Sequence, residues 1–153
     1  HRAPVDKDET DLELALVWAA AQPEVDEIVV LGASGGRPDQ ALANLLLLAL
    51  PVLVGHRVLV ASGDWVAIVV RGGGQLVLEG RPGDRVSLIP LGGAAEGVTT
   101  NGLAFPLRDE TLHFGPARGV SNRMESDTAQ VVVRRGILWC FHERRLLDVD
   151  CRE

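Results

Sequence analysis

Residues 31–48 read LGASGGRPDQALANLLLL, and this stretch decides the fold. An apolar strand ending at Leu31 runs into a loop holding Gly32, Gly35 and Gly36, then Arg37, Pro38 and Asp39, and only then into a leucine-rich helix. A tight turn alone needs fewer special residues. Strand, glycine loop and helix start together give the geometry in which backbone N–H groups can cradle a phosphate. Arg37 adds a charged donor, and Asp39 is a group able to bind a metal or a cationic ligand. The spacing is neither GxxxxGK(S/T) nor GxGxxG, so neither the P-loop nor the dinucleotide fingerprint applies. A plain βα turn carrying a surface Arg–Asp pair is the alternative reading.

Working outward, Pro38 suits a first helical turn. Leu42, Leu45, Leu46 and Ala49 predict one buried stripe on a helix that ends before Pro51. Upstream, EIVVLG (27–32) is a short continuous apolar run, as expected of a strand buried on both faces in a parallel sheet. Before it, Thr10 and Glu13 have capping-box spacing, and Leu12, Ala15, Leu16 and Ala19 recur at helical intervals, which predicts a helix over 11–22. HRVLVAS (56–62) reads as a further strand. Helix, strand, helix, strand is the order of an open α/β layer.

After Ser62 the texture changes. Short apolar runs such as WVAIVV, QLVLEG, RVSLIPL and ILWCFHE alternate with RGGG, RPGD, GGAAEG, RDE and RRG, and no helical periodicity survives. About seven strands at this spacing make a small antiparallel sandwich. The expected fold is therefore α/β followed by all-β. A partial open α/β layer, a Rossmann-like remnant, occupies 1–62, and an antiparallel β-sandwich occupies 63–153.

The chain has 153 residues, 46% of them hydrophobic, enough to bury a sizeable core. Its 15 Lys and Arg against 21 Asp and Glu give a net charge of -6. That balance argues against nucleic acid, which would want a clustered basic surface, and suits a cationic or metal-chelated ligand. Cys140 and Cys151 form no CxxC, and His1, His56, His113 and His142 are dispersed, so neither a zinc site nor a disulfide scaffold is indicated. Reduced thiols in a cytosol are expected. The apolar stretch from Leu45 to Val54 is broken by Pro51 and too short to span a bilayer. No signal-peptide pattern stands at the N-terminus. The abrupt opening on HRAPVDKDETD, already motif-like, leads us to expect a piece of a longer protein.

Other stretches could carry chemistry. In DKDETD (6–11), Asp6, Asp8 and Asp11 surround Lys7 and Thr10. Asp8 and Asp11, three apart at a helix start, can point toward one spot. Such a pair can hold Mg²⁺, which takes one or two carboxylates beside water and phosphate oxygens. Equally, acids there cap the helix and complement its dipole. In GVTTNGLAFPL (97–107) and GVSN (119–122), Thr99, Thr100, Asn101, Phe105, Ser121 and Asn122 read either as a ligand surface or as cross-strand and turn chemistry, with Phe105 in the core. The ending ERRLLDVDCRE (143–153) reads as a solvated strand or tail, and Trp18, Trp65 and Trp139 as packing residues.

Together and in this order, the segments resemble the thiamine pyrophosphokinase family. DKDETDLELAL looks like its acidic helix-start motif, and GASGGRPDQALANLLLL like its GxxGGRxDxxLxN loop and helix. VSLIPLGG, GVTTNGLAFPL, LHFG and GVSN follow in family order, so the resemblance runs from Pro4 to about Trp139. It implies an α/β catalytic domain followed by a β-sandwich, in a cytoplasmic homodimer. The substrate pocket would lie between the α/β domain of one subunit and the sandwich of the other. The implied reaction moves a diphosphoryl group from ATP to the hydroxyl of thiamine with Mg²⁺, giving thiamine diphosphate and AMP.

By the same resemblance Asp8, Asp11 and Asp39 are the catalytic residues, with Asp8 and Asp11 as metal ligands. Lys7, Thr10, Gly35, Gly36, Arg37 and Gln40 serve the nucleotide and its phosphates. Asp39, Gln40, Phe105, Ser121 and Asn122 hold thiamine. No nucleic acid or membrane partner is implied. Family members carry a further acidic DxD-like segment on an earlier strand, ahead of the position of His1, and some carry Trp or Tyr where Phe105 stands. Two alternatives are a non-catalytic ligand-binding or dimerisation module, and a diphosphokinase acting on another small alcohol such as a pterin.

Overall fold

The computed structural model describes residues 8–143. Helix α1 (Asp11–Ala20) starts where the capping spacing puts it: Thr10 is the N-cap, and its hydroxyl accepts the Glu13 N–H at 3.2 Å. The helix stops two residues short of the expected end, where the Gln22 side chain donates to the Trp18 carbonyl at 2.8 Å. Strand β1 (Glu27–Leu31) leads through the glycine loop into α2 (Pro38–Leu47), and a 3₁₀ turn (Pro51–Leu53) leads into β2 (Arg57–Ser62). β1 and β2 pair in parallel, Glu27 opposite Arg57 and Leu31 opposite Ala61.

Eight further strands follow: β3 (Trp65–Arg71), β4 (Gln75–Glu79), β5 (Arg85–Pro90), β6 (Ala95–Asn101), β7 (Glu110–Leu112), β8 (Asn122–Arg123), β9 (Thr128–Val132) and β10 (Ile137–Glu143). They build two open sheets, in the orders β1-β2-β3-β10-β5-β8 and β4-β9-β6-β7. Alternate residues of both sheets, among them Val86, Leu88, Val98, Val131, Leu138 and Cys140, fill one buried core between them. A second core lies where α1, α2 and the 3₁₀ turn cover the other face of the six-stranded sheet; it holds Leu16, Leu48, Leu53, Val58 and Val60.

The expected division at residue 62 falls on the two-residue turn Gly63–Asp64 that joins β2 to β3, and the sheet runs on across it, with Ser62 paired to Trp65. Arg71 on β3 crosses back to the helical layer. Its guanidinium donates to the carbonyls of Leu48 at 3.1 Å, Leu50 at 3.2 Å and Ala49 at 3.4 Å, just beyond α2. These carbonyls follow a helix with no basic residue in its last turn, so a cation there meets both the acceptors past the helix and the negative helix end; Leu50 also accepts the Leu53 N–H at 3.1 Å.

Three expectations are corrected. β1 is not buried on both faces: among the described strands only β2 pairs with it, and while Val30 is buried, Val29 and Leu31 are exposed on the opposite face. The stripe on α2 is rotated from the expected one: Leu42 and Leu46 face outward, and burial falls on Leu48, with Leu45 and Leu47 packed at its margin. Trp18 is exposed rather than packed, whereas Trp65 and Trp139 both pack against Phe141.

Candidate functional site

The sheet order decides which strand ends meet. β1 and β2 are parallel and finish together at Leu31 and Ser62. Each later neighbour in the six-stranded sheet is antiparallel, so the same edge carries the start of β3 (Trp65), the end of β10 (Glu143), the start of β5 (Arg85) and the end of β8 (Arg123). The glycine loop therefore stands at one end of a row that finishes at the Phe105, Ser121 and Asn122 cluster. Five inter-strand steps of about 4.8 Å put roughly 24 Å between the two along that edge.

In the loop, Gly35 (φ 128°) and Gly36 (φ 67°) take left-handed conformations that a side chain disfavours. An added Cβ there would meet nothing within 4 Å, so the need for glycine is conformational. The loop is tied at both flanks. The hydroxyls of Ser34 and Ser62 share a hydrogen bond, and Asn44, on α2, donates its amide to the Ala33 carbonyl at 3.0 Å. Arg37 is the N-cap of α2 and makes no side-chain cap bond; it pairs instead with Asp39, Nε to Oδ1 at 3.1 Å and through Nη2 to Oδ2. The Arg37 guanidinium holds the Asp39 carboxyl below its usual range, helped by the N–H groups of Gln40 and Asp39 at the helix start, and Asp39 in turn raises the Arg37 pKa. Arg37, Asp39 and Gln40 are all exposed, so this helix start offers solvent a charged pair at the positive end of α2.

At the far end Asn122 is buried and fully engaged. Its Oδ1 accepts the N–H of Phe105 at 3.0 Å and of Arg123 at 2.9 Å, and its Nδ2 donates to the Phe105 carbonyl at 2.7 Å. Phe105, expected in the core on the bland reading, is 55% exposed, because Asn122 grips its backbone and turns the ring outward. Ser121 sits at φ 62°, and its N–H donates to the Ser87 hydroxyl at 3.1 Å. Thr99 and Thr100 follow the structural reading: their hydroxyls accept the N–H groups of Asp109 at 3.1 Å and Leu107 at 2.9 Å.

Asp8 and Asp11 flank the N-cap of α1, and both are exposed; Lys7 lies outside the described residues. Among the described residues no group of three or more His, Cys, Asp or Glu gathers as a ready metal cage. Two exposed carboxylates are nonetheless the hard-oxygen donors that Mg²⁺ combines with water and phosphate oxygens. Cys140 is a buried free thiol, and Cys151 lies outside the described residues.

Sequence reasoning missed the middle of the row. A hollow of about 300 Å³ is lined by Asp64, Trp65, Arg85, Ser87, Phe141 and Glu143. Trp65 and Phe141 pack with their rings tilted by 52° and centroids 5.8 Å apart, and Arg85 pairs with Glu143 at 3.2 Å. These residues meet because β10 inserts between β3 and β5, a pairing with no local sequence signal. Arg123 was missed although it adjoins Asn122. A wider cleft of about 840 Å³ between β3 and β4 is lined by none of the sequence-predicted site residues.

The catalytic-domain model of thiamin pyrophosphokinase matches residues 1–59, and the thiamin pyrophosphokinase vitamin B1 binding domain model matches residues 75–138. The chain belongs to the thiamine pyrophosphokinase family. It is 29% identical to thiamine pyrophosphokinase of Bacillus subtilis over 140 residues, covering 90% of this chain and 64% of that one. It is 27% identical to thiamine pyrophosphokinase 1 of Oryza sativa subsp. japonica, over 91% of this chain and 55% of that one. Crystal structures of thiamine pyrophosphokinases from Bacillus subtilis (TM-score 0.82, 27% identity, 92% of this chain and 65% of that) and Geobacillus thermodenitrificans (TM-score 0.79, 27% identity, 97% and 66%) share the fold. The chain thus spans 64% and 55% of these two curated relatives. Both matched segments contribute to the six-stranded sheet, the first with β1 and the first half of β2, the second with β5, β8 and the start of β10, and β3 between them belongs to neither.

Proposed function

We propose that this chain works as its family name states, moving a diphosphoryl group from ATP to the hydroxyl of thiamine, with thiamine diphosphate and AMP as products. The support is the pairing of two features on one sheet edge: a glycine loop leading into an exposed helix start with the Arg37–Asp39 pair, and an outward-facing aromatic ring held by a buried Asn. The division into an α/β part over 1–62 and a thiamine-binding sandwich over 63–153 belongs to this proposal, as does the comparison of 1–62 with a Rossmann-like remnant.

Phosphoryl-type transfer needs charge neutralisation and in-line placement more than a covalent partner. The N–H groups at Gly35, Gly36 and the start of α2 would face phosphate oxygens, with Arg37 as a charge-assisted donor and Gln40 beside it. Lys7 and Thr10 would serve the same end of the nucleotide. Asp39 would stand where nucleotide and acceptor meet, its carboxylate kept ionised by Arg37. Asp8 and Asp11 would hold Mg²⁺, which when bound neutralises phosphate charge. Phe105, Ser121 and Asn122 would hold thiamine.

A two-ring acceptor laid on Phe105 covers only part of the roughly 24 Å back to the loop of its own chain, whereas reacting atoms must approach to about 3–3.5 Å. That mismatch supports a homodimer in which one copy's loop faces the other's Phe105 cluster. The proposed setting is the cytoplasm, and no described helix is long and apolar enough to cross a membrane.

The test is AMP and thiamine diphosphate formation from ATP, Mg²⁺ and thiamine, followed by chromatography. Absence of AMP with a folded protein sinks the activity. Asp39→Asn is expected to lower turnover at least about 100-fold, the scale of a lost electrostatic group. A non-catalytic ligand-binding or dimerisation module is the second reading. Thiamine binding without AMP formation would identify it.

A further inference from the structure

The aromatic face proposed for the acceptor already has a cation on it. The Arg123 guanidinium carbon lies 5.6 Å from the centroid of the Phe105 ring, within cation–π range. Asn122 fixes the backbone of both residues, its Oδ1 accepting the N–H of each. A second positive charge stands next door: Arg85 is the direct cross-strand partner of Arg123, and the two side chains share one face of the sheet. Arg85 is neutralised by Glu143 at 3.2 Å, whereas Arg123 makes no ion pair among the described residues.

We propose that Arg123 is a specificity-determining residue that disfavours a cationic ring at Phe105 and favours an uncharged one. The inference rests on the thiamine reading above and deepens it, because thiamine carries one ring of each kind. A thiazolium brought to the Arg123-bearing face must displace the guanidinium. On the opposite face it meets a ring whose electrons are already drawn toward a cation, with a like charge about 9 Å away. The uncharged aminopyrimidine suffers neither penalty. Arg123 thereby orients the acceptor with its neutral ring on Phe105.

The experiment is calorimetric titration of the 153-residue chain, wild type and Arg123→Met, with thiamine and with its neutral thiophene analogue, which keeps the pyrimidine and the hydroxyethyl arm. Met keeps an apolar stem against Phe105, and circular dichroism checks the fold. Thiamine should tighten by up to about 5-fold in Arg123→Met, where the pose with the thiazolium on Phe105 no longer meets a like charge at that separation, while the neutral analogue changes less than about 2-fold. The gap should shrink in 0.5 M salt, where the Debye length is about 4 Å. Arg123→Glu should widen it further. An unchanged thiamine-to-analogue ratio, or an equal change for both ligands, overturns the role of Arg123 and leaves the acceptor site standing. Failure of wild type and both variants to bind either ligand overturns the acceptor site and this inference with it.

Discussion

Replacing Arg71 with Met removes the guanidinium that closes the C-terminal end of α2 while keeping an unbranched apolar stem in its place. The N–H groups of Leu48, Ala49 and Leu50 close the last turn, and the carbonyls just past it have few other donors. The C-cap Leu48 keeps right-handed helical angles, no glycine reverses the chain, and Pro51 brings no N–H. The carbonyls of Leu48 and Ala49 are served by Arg71 at 3.1 and 3.4 Å, and that of Leu50, which also accepts the Leu53 N–H at 3.1 Å, takes a further bond from Arg71 at 3.2 Å. A hydrogen bond from a charged donor is worth about 1.5–3 kcal/mol, and a cation at a helix C-terminus adds about 0.3–1 kcal/mol. Three bonds from one half-buried guanidinium do not add in full. One is long, water screens part of the charge, and burial lowers the Arg71 pKa, a sign that desolvation offsets some of the gain. The expected loss is about 2–3 kcal/mol, read as a shift in the urea midpoint, or about 4–12 °C in Tm for a domain of this size. Amide exchange in the last turn of α2 should quicken more than in β5 or β10. A loss below about 0.5 kcal/mol would mean that water serves these carbonyls equally well, and the clamp would have no energetic content.

Asn122→Ala strands two N–H groups and a carbonyl at a buried position, so a loss of about 3 kcal/mol is expected by denaturation. Asn122→Asp, which keeps the acceptor and loses the donor, should fall between the two. Asp39 should titrate below its ordinary 3.8 in carboxyl-resolved NMR and return toward it in Arg37→Gln. Because the folded pKa is lowered, the pairing contributes above the ordinary carboxylate range and is lost as pH falls through the lowered value. In a Cys151→Ser background Cys140, whose thiol burial pushes up to about 12, should resist a disulfide reagent at pH 8 until the chain is unfolded. Rapid native labelling would show that the core opens.

How much was legible in the sequence varied with how local the cause was. The cap at Thr10, the strand–loop–helix order around Gly35 and Gly36, and the turns RGGG and RPGD rest on neighbours within four residues and are legible, whereas GGAAEG reads as a turn although Ala95, Glu96 and Gly97 open β6. The stripe on α2 was misplaced because a helix that is leucine at four successive positions has no single apolar face, and packing against α1 and Arg71 chose among them. β1 was expected to be covered because an apolar run tells what a strand would bury, not how many neighbours it has. Phe105 was ambiguous for a related reason. Nothing near it announces that Asn122, 17 residues later, grips its backbone and turns the ring out. The hollow lined by Trp65, Arg85 and Glu143 depends on β10 returning between β3 and β5, which no spacing in the sequence encodes.

One sheet carries both halves of the candidate site, yet they are held by separate devices, which gives the proposal a sharper check than either half alone. The loop is set by α2, whose N-terminus bears Arg37, Asp39 and Gln40 and whose far end Arg71 holds. The ring is set by Asn122 on β8, five strands away, with no share in that clamp. Loosening α2 through Arg71→Met should therefore weaken nucleotide binding more than thiamine binding. Asn122→Ala should do the reverse, and perturbations this far apart should add. If both substitutions weaken both ligands alike in protein shown to be folded, the effects are global destabilisation rather than loss of positioning. The division of labour between loop and ring then has no support. A crossed pattern is what the sheet order requires, because only the strand-by-strand reversal from β2 to β8 brings the two devices to one edge while keeping their contacts apart.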